Sequence, residues 1–142
     1  MSKMNVGKVV AGGVLAGIVL CAYDFAANSF LFVEEWQTLS QRHNFDAVLM
    51  SGTTSLLTMC AIDFLLGMVI TLVYASIRPR FGPGPGTGAI ATFFVFLPYA
   101  LMLAYFSGWF IPWDLFVRQS TVILVGMLAA GFAGAWVYAE DD

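Results

Sequence analysis

Charge is scarce in this sequence, and positive charge is the scarcer kind. Asp, Glu, Lys and Arg make up 11% of the 142 residues, whereas soluble domains carry roughly 25%. Six Lys and Arg stand against nine Asp and Glu, which gives a net charge of -3. So few basic residues cannot neutralise a row of phosphates, and nucleic-acid binding is therefore excluded.

Side chains that ligate metals or act as nucleophiles are also rare. The chain has one histidine, His43, and two cysteines, Cys21 and Cys60, which both lie in apolar runs. We therefore expect no metal site, no haem held by two histidines and no disulfide framework. Because no Ser/His/Asp or Cys/His set is placed for nucleophilic catalysis, we do not expect an enzyme. No motif implies a cofactor, and bound lipid or pigment stays an open alternative.

Apolar sequence dominates what is present. Hydrophobic residues make up 60% of the chain, and four runs are long enough to cross a membrane: 9–33, 47–77, 87–111 and 115–138. Inside a bilayer every backbone N–H and C=O needs an internal partner, so the runs are predicted to be helices. Residues 1–142 are therefore predicted to form one all-α domain, a bundle of four transmembrane helices.

The first run raises the alternative of a cleavable signal peptide, because Lys3 and Lys8 precede it. We favour a retained helix, since the run continues to about Val33 with no small-x-small cleavage site behind it.

Basic residues beside the runs indicate the orientation. One side has Lys3, Lys8, Arg78 and Arg80, and the other has Arg42 and Arg118. Because cytoplasmic loops carry the excess of Lys and Arg, both termini are predicted to lie in the cytoplasm.

Two parts of the chain resemble each other. The segment Gly67–Ala75 is echoed by Gly131–Ala139 at an offset of 64, and the first and third runs align at an offset of 76, which matches Tyr23 to Tyr99. The pattern predicts two tandem helical hairpins related by an axis along the membrane normal.

Small residues mark the predicted packing faces of the helices. They are Gly13 and Gly17 in the first run, Gly67 in the second, and Gly131 and Gly134 in the fourth. Small residues at helical spacing let backbones approach closely in a membrane. We interpret these faces as packing within one chain, with an oligomer interface as the alternative.

Two carboxylates, Asp24 and Asp63, lie within the apolar runs. A charged aspartate at mid-bilayer costs on the order of 3 kcal/mol, so both side chains are predicted to face the bundle interior. Distances along the helices place both at similar height in the outer half of the membrane. The favoured interpretation is a structural polar cluster, and the alternative is a carboxylate pair that shares a proton or holds a cation. Their candidate partners are Asn28, Thr58, Tyr99 and Arg118.

Two segments between the runs are predicted to be non-helical. Residues 77–88 alternate Gly and Pro, which favours a stiff connector in which Thr87 caps the next helix. Arg78 and Arg80 beside this connector offer a possible site for an anion or lipid headgroup. Residues 34–46 are interpreted as a mostly solvated loop.

The segment 74–85, Tyr-Ala-Ser-Ile-Arg-Pro-Arg-Phe-Gly-Pro-Gly-Pro, follows a first helix that ends in the stretch Asn28 to Trp36. In these features the chain resembles a group of small bacterial four-helix membrane proteins of uncharacterised function. The resemblance spans nearly the whole chain, and the arginine-proline-arginine connector is its most specific part. It implies a multi-pass protein of the bacterial inner membrane and no catalytic activity.

Three functions are compatible with the sequence. The favoured one is an accessory subunit of a larger respiratory or photosynthetic membrane complex, because the chain is small, rich in aromatics and without catalytic groups. The first alternative is a small oligomeric transporter of protons, ions or solutes that uses Asp24 and Asp63. The second is a lipid-binding membrane module that uses Arg78 and Arg80. The expected partners are accordingly membrane lipids and either other membrane subunits or a second copy of the chain.

Overall fold

The computed structural model describes residues 4–44 and 52–138, without the side chains of Phe106 and Ser107. It contains five helices in this part of the chain: α1 (Val6–Phe30), α2 (Val33–His43), α3 (Thr53–Phe81), α4 (Pro85–Phe110) and α5 (Trp113–Val137). The four long helices, α1, α3, α4 and α5, are long and apolar enough to cross a membrane. The predicted all-α architecture with four spans is confirmed.

The four long helices form a bundle of two neighbouring hairpins. Helix α1 packs mainly against α3 and α5, and α4 packs against the same two helices, so α1 and α4 occupy opposite corners. Asn5, the turn at 82–84 and Tyr138 lie at one end of the bundle, which we call the connector face. The opposite end carries α2, and we call it the α2 face.

Helix α3 is displaced along the chain relative to the predicted span of 47–77. It begins at Thr53 and continues to Phe81, so the predicted connector of 77–88 shrinks to residues 82–84. Residues 45–51, where the predicted span begins, lie outside the described part. Pro79 lies inside the last part of α3, and the helix continues past it, because the N–H of Gly82 still bonds the carbonyl of Arg78 at 2.9 Å. The helix therefore ends four residues later than the proline and glycine content of the connector predicted.

The predicted capping role of Thr87 is not what the structure shows. Helix α4 begins at Pro85, and the Thr87 hydroxyl donates to the carbonyl of Gly82 at 2.7 Å. Thr87 therefore ties the connector to α4 as a donor, where a cap would accept from the first turn of the helix.

The interpretation of 34–46 as a loop is wrong over most of its length, because α2 occupies Val33–His43. Acidic residues in its first turn and basic residues in its last turn complement the helix dipole: Glu34, Glu35, Arg42 and His43. Phe32 and Leu39 are buried together with Leu115 of α5. These apolar contacts hold α2 against the end of the bundle. Asp46, the last residue of the predicted loop, lies outside the described residues.

The predicted packing glycines lie where helices approach most closely. A Cβ atom at Gly13 would fall 2.9 Å from the Cα of Met68, and one at Gly17 would fall 2.8 Å from the Cα of Phe64. Gly67 meets the α1 backbone at Ala16 and Gly17. In the second hairpin, Gly131 meets Thr92 and Gly88 of α4, while Gly134 meets Thr71 and Gly12 across the bundle. All of these contacts lie within one chain.

Candidate functional site

A cleft of about 430 Å³ lies in the half of the bundle nearer the α2 face. Its lining residues are Asp24 of α1, Tyr99 of α4, and Thr54, Ser55, Thr58, Met59, Ile62 and Asp63 of α3. The six α3 residues recur at helical spacing, so they form one continuous stripe of the helix. A single helix face thus lines most of the cleft, and the two carboxylates contribute from two different helices.

Asp63 is the most deeply buried polar residue among those described as lining the cleft. It is 4% exposed, and its Oδ2 atom accepts no hydrogen bond from any residue in the described ranges. Burying a carboxylate oxygen without a donor is costly, because its hydration is lost and nothing replaces it. A positively charged or hydrogen-bond-donating ligand in the cleft would remove that cost.

Asp24 is half-buried and lies between two spaces. It lines the large cleft on one side, and on the other side a cavity of about 10 Å³ that it shares with Asn28 and Gln119. The Asn28 amide donates to the backbone carbonyl of Asp24 at 2.9 Å and accepts from the Trp36 indole at 2.9 Å. Asn28 therefore links the end of α1 to α2 beside Asp24, whose residue borders both spaces.

The two carboxylates lie at different depths. Helices α1 and α3 run antiparallel, and Gly13 approaches Met68 while Gly17 approaches Phe64. This register places Asp24 level with residue 57 and Asp63 level with residue 18, an offset of about 9 Å along the bundle at roughly 1.5 Å per residue. The expected similar height assumed that the span ends are level, but α3 extends beyond the start of α1 at the connector face.

A disulfide joins Cys21 of α1 to Cys60 of α3, with their Cα atoms 5.2 Å apart. The sequence predicted no disulfide framework, and the structure corrects that prediction for this one pair of cysteines. Neither cysteine had a spacing motif, and only the packing of the two helices makes them neighbours. Each cysteine precedes an aspartate by three residues, Asp24 and Asp63 respectively. The bond thus fixes the separation of the two helices that carry the carboxylates.

Two other predicted partners, Thr58 and Tyr99, line the same cleft. The Thr58 hydroxyl donates to the carbonyl of Thr54 at 2.8 Å, so its oxygen remains an acceptor. The described lining includes no Lys or Arg, so the cleft has an acidic character.

Arg118 is not part of this constellation. Its guanidinium pairs with Glu35 of α2 at 3.0 Å and with Asp114 at 3.7 Å. The sequence made Arg118 a candidate partner of the aspartates because it lies near the end of the fourth run, from which it could reach inward. In the folded protein, α2 places Glu35 beside α5, where its carboxylate forms an ion pair with Arg118. Arg118 therefore does not pair with Asp24 or Asp63.

The other predicted basic site lies at the opposite end of the molecule. Arg78 and Arg80 are in the last turn of α3, where positive charge complements the helix dipole. The Arg78 guanidinium lies 5.8 Å from the centre of the Tyr138 ring, within cation–π range. Binding of a lipid headgroup by Arg78 and Arg80 stays a prediction.

Sequence reasoning missed Thr54 and Ser55 in the lining of the cleft. The signal was available, because Thr54, Ser55 and Thr58 share a helical stripe with Asp63.

Comparison of the chain with protein-family models, curated protein sequences and solved structures finds no match.

Proposed function

We propose that this chain is a small membrane transporter that binds a cation in the cleft between α1, α3 and α4. The observation that carries the proposal is the buried Oδ2 of Asp63, which accepts no hydrogen bond from the described residues although it borders an acidic cleft. A cation in the cleft would supply the positively charged partner that this carboxylate oxygen lacks. Asp24, about 9 Å nearer the α2 face, provides a first contact on the way to Asp63.

Close packing beyond Asp63 supports a carrier over an open pore. Ala16, Ile70 and Met127 are fully buried between the cleft and the connector face. The glycine contacts of α1 with α3 lie in the same half of the bundle. The cleft therefore reaches about halfway through the bundle, and release on the other side requires a second arrangement of the helices, as in alternating access.

The two hairpins support such a rearrangement. Gly67 packs on α1 at Ala16, and Gly131 packs on α4 at Thr92. These pairs correspond under the offsets of 64 and 76, since 67 plus 64 is 131 and 16 plus 76 is 92. We therefore also propose that the two hairpins arose by duplication and that they move relative to each other during transport. The proposed location is the bacterial inner membrane with both termini in the cytoplasm, which the distribution of Lys and Arg supports.

Flux in proteoliposomes tests the proposal. Reconstituted protein should take up choline or rubidium ion above the level of protein-free vesicles, and Asp63→Asn should abolish that uptake. Glu34→Gln is the matched control, because it removes the same charge from an exposed residue of α2, outside the cleft. Size-exclusion chromatography and circular dichroism establish that each variant is folded. Uptake by folded Asp63→Asn equal to that of the unmodified protein contradicts the proposal.

A subunit role in a larger membrane complex is the second candidate function. It is supported by a broad apolar surface on α4, formed by Phe93, Phe94, Leu97, Leu101, Met102, Tyr105 and Trp109, each at least half exposed. Such an apolar surface is compatible with contact to lipid and equally with contact to a neighbouring membrane subunit. Native gel electrophoresis of mild detergent extracts tests this role, since a subunit comigrates with larger proteins. Migration only as a monomer or homodimer contradicts it.

A further inference from the structure

We infer that the ligand of the cleft is an organic cation, with an ammonium group held by Asp63 and the Tyr99 ring and an apolar portion against Met59 and Ile62. The inference rests on the proposed function and names the chemical class of ligand for that same site. Four properties of the cleft support it: size, lining chemistry, ligand count and the position of its opening.

The size of the cleft suits a molecule more than a bare ion. A volume of about 430 Å³ falls in the range of roughly 300–1,000 Å³ that small-molecule sites occupy. An inorganic ion at Asp63 would leave most of this space without contacts. A ligand of several carbon atoms fills it and gains dispersion contacts along the α3 stripe.

The lining offers a charged end and an apolar wall. Asp63 supplies the negative charge at the inner end, while Met59 and Ile62 of the same stripe are apolar. Tyr99 adds an aromatic ring, whose face attracts ammonium and quaternary ammonium groups. The Met59 thioether is polarisable and adapts to ligands of irregular shape. This combination of a buried acid with aromatic and apolar side chains is chemically complementary to an alkylated amine.

The oxygen ligands are too few for a divalent metal. Calcium takes six to eight oxygen ligands, with several from carboxylates. Among the described residues no group of three or more His, Cys, Asp or Glu could hold a metal ion. The two cleft carboxylates are also staggered by about 9 Å along the helices, so they do not chelate one ion together. One carboxylate per cationic group matches an ammonium ligand better.

The cleft is exposed along its α3 side. Thr54, Thr58 and Ile62 at its rim are exposed, and Ile62 keeps 45% of its surface accessible. Since α3 is long and apolar enough to span a membrane, this rim would border the lipid when α3 spans it. An amphipathic cation that partitions into the bilayer reaches Asp63 along this route with its apolar portion still in contact with lipid or side chains.

Equilibrium binding to the purified, detergent-solubilised protein tests the inference. The probes are choline, its uncharged analogue 3,3-dimethylbutan-1-ol, in which carbon replaces nitrogen, and rubidium chloride at matched ionic strength. We expect choline to bind saturably and the uncharged analogue to bind at least about thirtyfold more weakly, because a buried carboxylate loses its charge partner. Asp63→Asn should cause a similar loss for choline, and Glu34→Gln should change nothing.

Two substitutions of Tyr99 distinguish binding of an organic cation from binding of any cation. Tyr99→Leu should weaken choline about two- to thirtyfold, while Tyr99→Phe, which keeps the ring, should bind like the unmodified protein. The comparison of choline with its uncharged analogue needs no variant, so it holds even if Asp63→Asn fails to fold.

The outcomes distinguish the two proposals. Binding of rubidium ion that depends on Asp63 and that choline does not displace overturns the organic-cation inference and leaves the cation carrier intact. Equal affinity for choline and the uncharged analogue overturns both, because charge then plays no part. Absence of binding for all three probes by folded protein also overturns both.

Discussion

The rings of Tyr74 and Tyr138 pack edge to face, with their centres 5.9 Å apart, and join the two hairpins at the connector face. The two tyrosines occupy equivalent positions under the offset of 64. Their hydroxyls accept backbone N–H groups at 3.4 Å, from Gly84 for Tyr74 and from Asn5 for Tyr138. This end of the bundle is therefore held by an aromatic contact and by two long hydrogen bonds.

Truncation of Tyr74 should separate these two contributions. Tyr74→Phe removes the hydroxyl and should cost less than about 1 kcal/mol, because the hydrogen bond is long. Tyr74→Ala removes a ring that is 2% exposed and should cost about 3–5 kcal/mol. Thermal unfolding in detergent, followed by circular dichroism, measures both changes. Equal losses for the two variants would show that the hydroxyl, and not the packed ring, holds this end together.

A methyl group at Gly67 should separate α1 from α3. The Cβ atom would lie 2.9 Å from the Ala16 carbonyl carbon and against the backbone nitrogen of Gly17, and backbone atoms cannot move aside cheaply. Gly67→Ala should therefore destabilise the bundle by about 1–3 kcal/mol. Gly86→Ala is the control, because no atom lies within 4 Å of its added Cβ. Gly86→Ala should leave the melting temperature unchanged or raise it, since alanine favours helix.

The disulfide between Cys21 and Cys60 should be detectable and stabilising. The chain has two cysteines, so protein denatured without reductant should not react with a maleimide, and reduced protein should react twice. Cys21→Ala combined with Cys60→Ala should lower stability by about 2–4 kcal/mol, because the bond closes a long loop. Maleimide labelling counted by mass spectrometry measures the first effect. Two labels on unreduced protein would show that the thiols are free.

Docking of α2 should depend on Leu39 more than on the ion pair of Arg118. Leu39 is 4% exposed, so Leu39→Ala should cost about 2–5 kcal/mol of docking free energy. The Arg118 side chain is 54% exposed, and its pair with Glu35 should contribute less than about 1 kcal/mol. Hydrogen exchange of the α2 amides measures both. A larger loss of protection in Arg118→Gln than in Leu39→Ala would reverse this ranking.

The predicted spans agree with α1, α4 and α5 to within three residues at each end. A segment that crosses a membrane must be about 20 residues long and apolar, and its backbone groups must hydrogen-bond within the helix. These requirements are visible in the local sequence, so hydropathy alone locates the helices. Helix α3 departs from this agreement at both ends. Its extension through Pro79 depends on how the last turn meets the connector, and hydropathy does not report that contact.

Helix α2 shows where local reasoning failed. Its eleven residues include Glu34, Glu35, Arg42 and His43, a polar composition that is typical of a solvated segment. Burial of Phe32 and Leu39 against α5 stabilises it as a helix, and this contact joins parts of the chain that are far apart in sequence. The partner of Arg118 was misassigned for the same reason, since Glu35 reaches it only when α2 is folded.

The sequence by itself determined that the chain forms four apolar helices and that Asp24 and Asp63 need an environment other than lipid. Composition settles both points, because the cost of exposing backbone or charge to hydrocarbon does not depend on which helices are neighbours. Only the tertiary structure decided that Cys21 meets Cys60, that Arg118 pairs with Glu35, and that the two carboxylates border one cleft at different depths. Those features depend on the register between helices, which side-chain packing sets and which no single segment of the chain encodes.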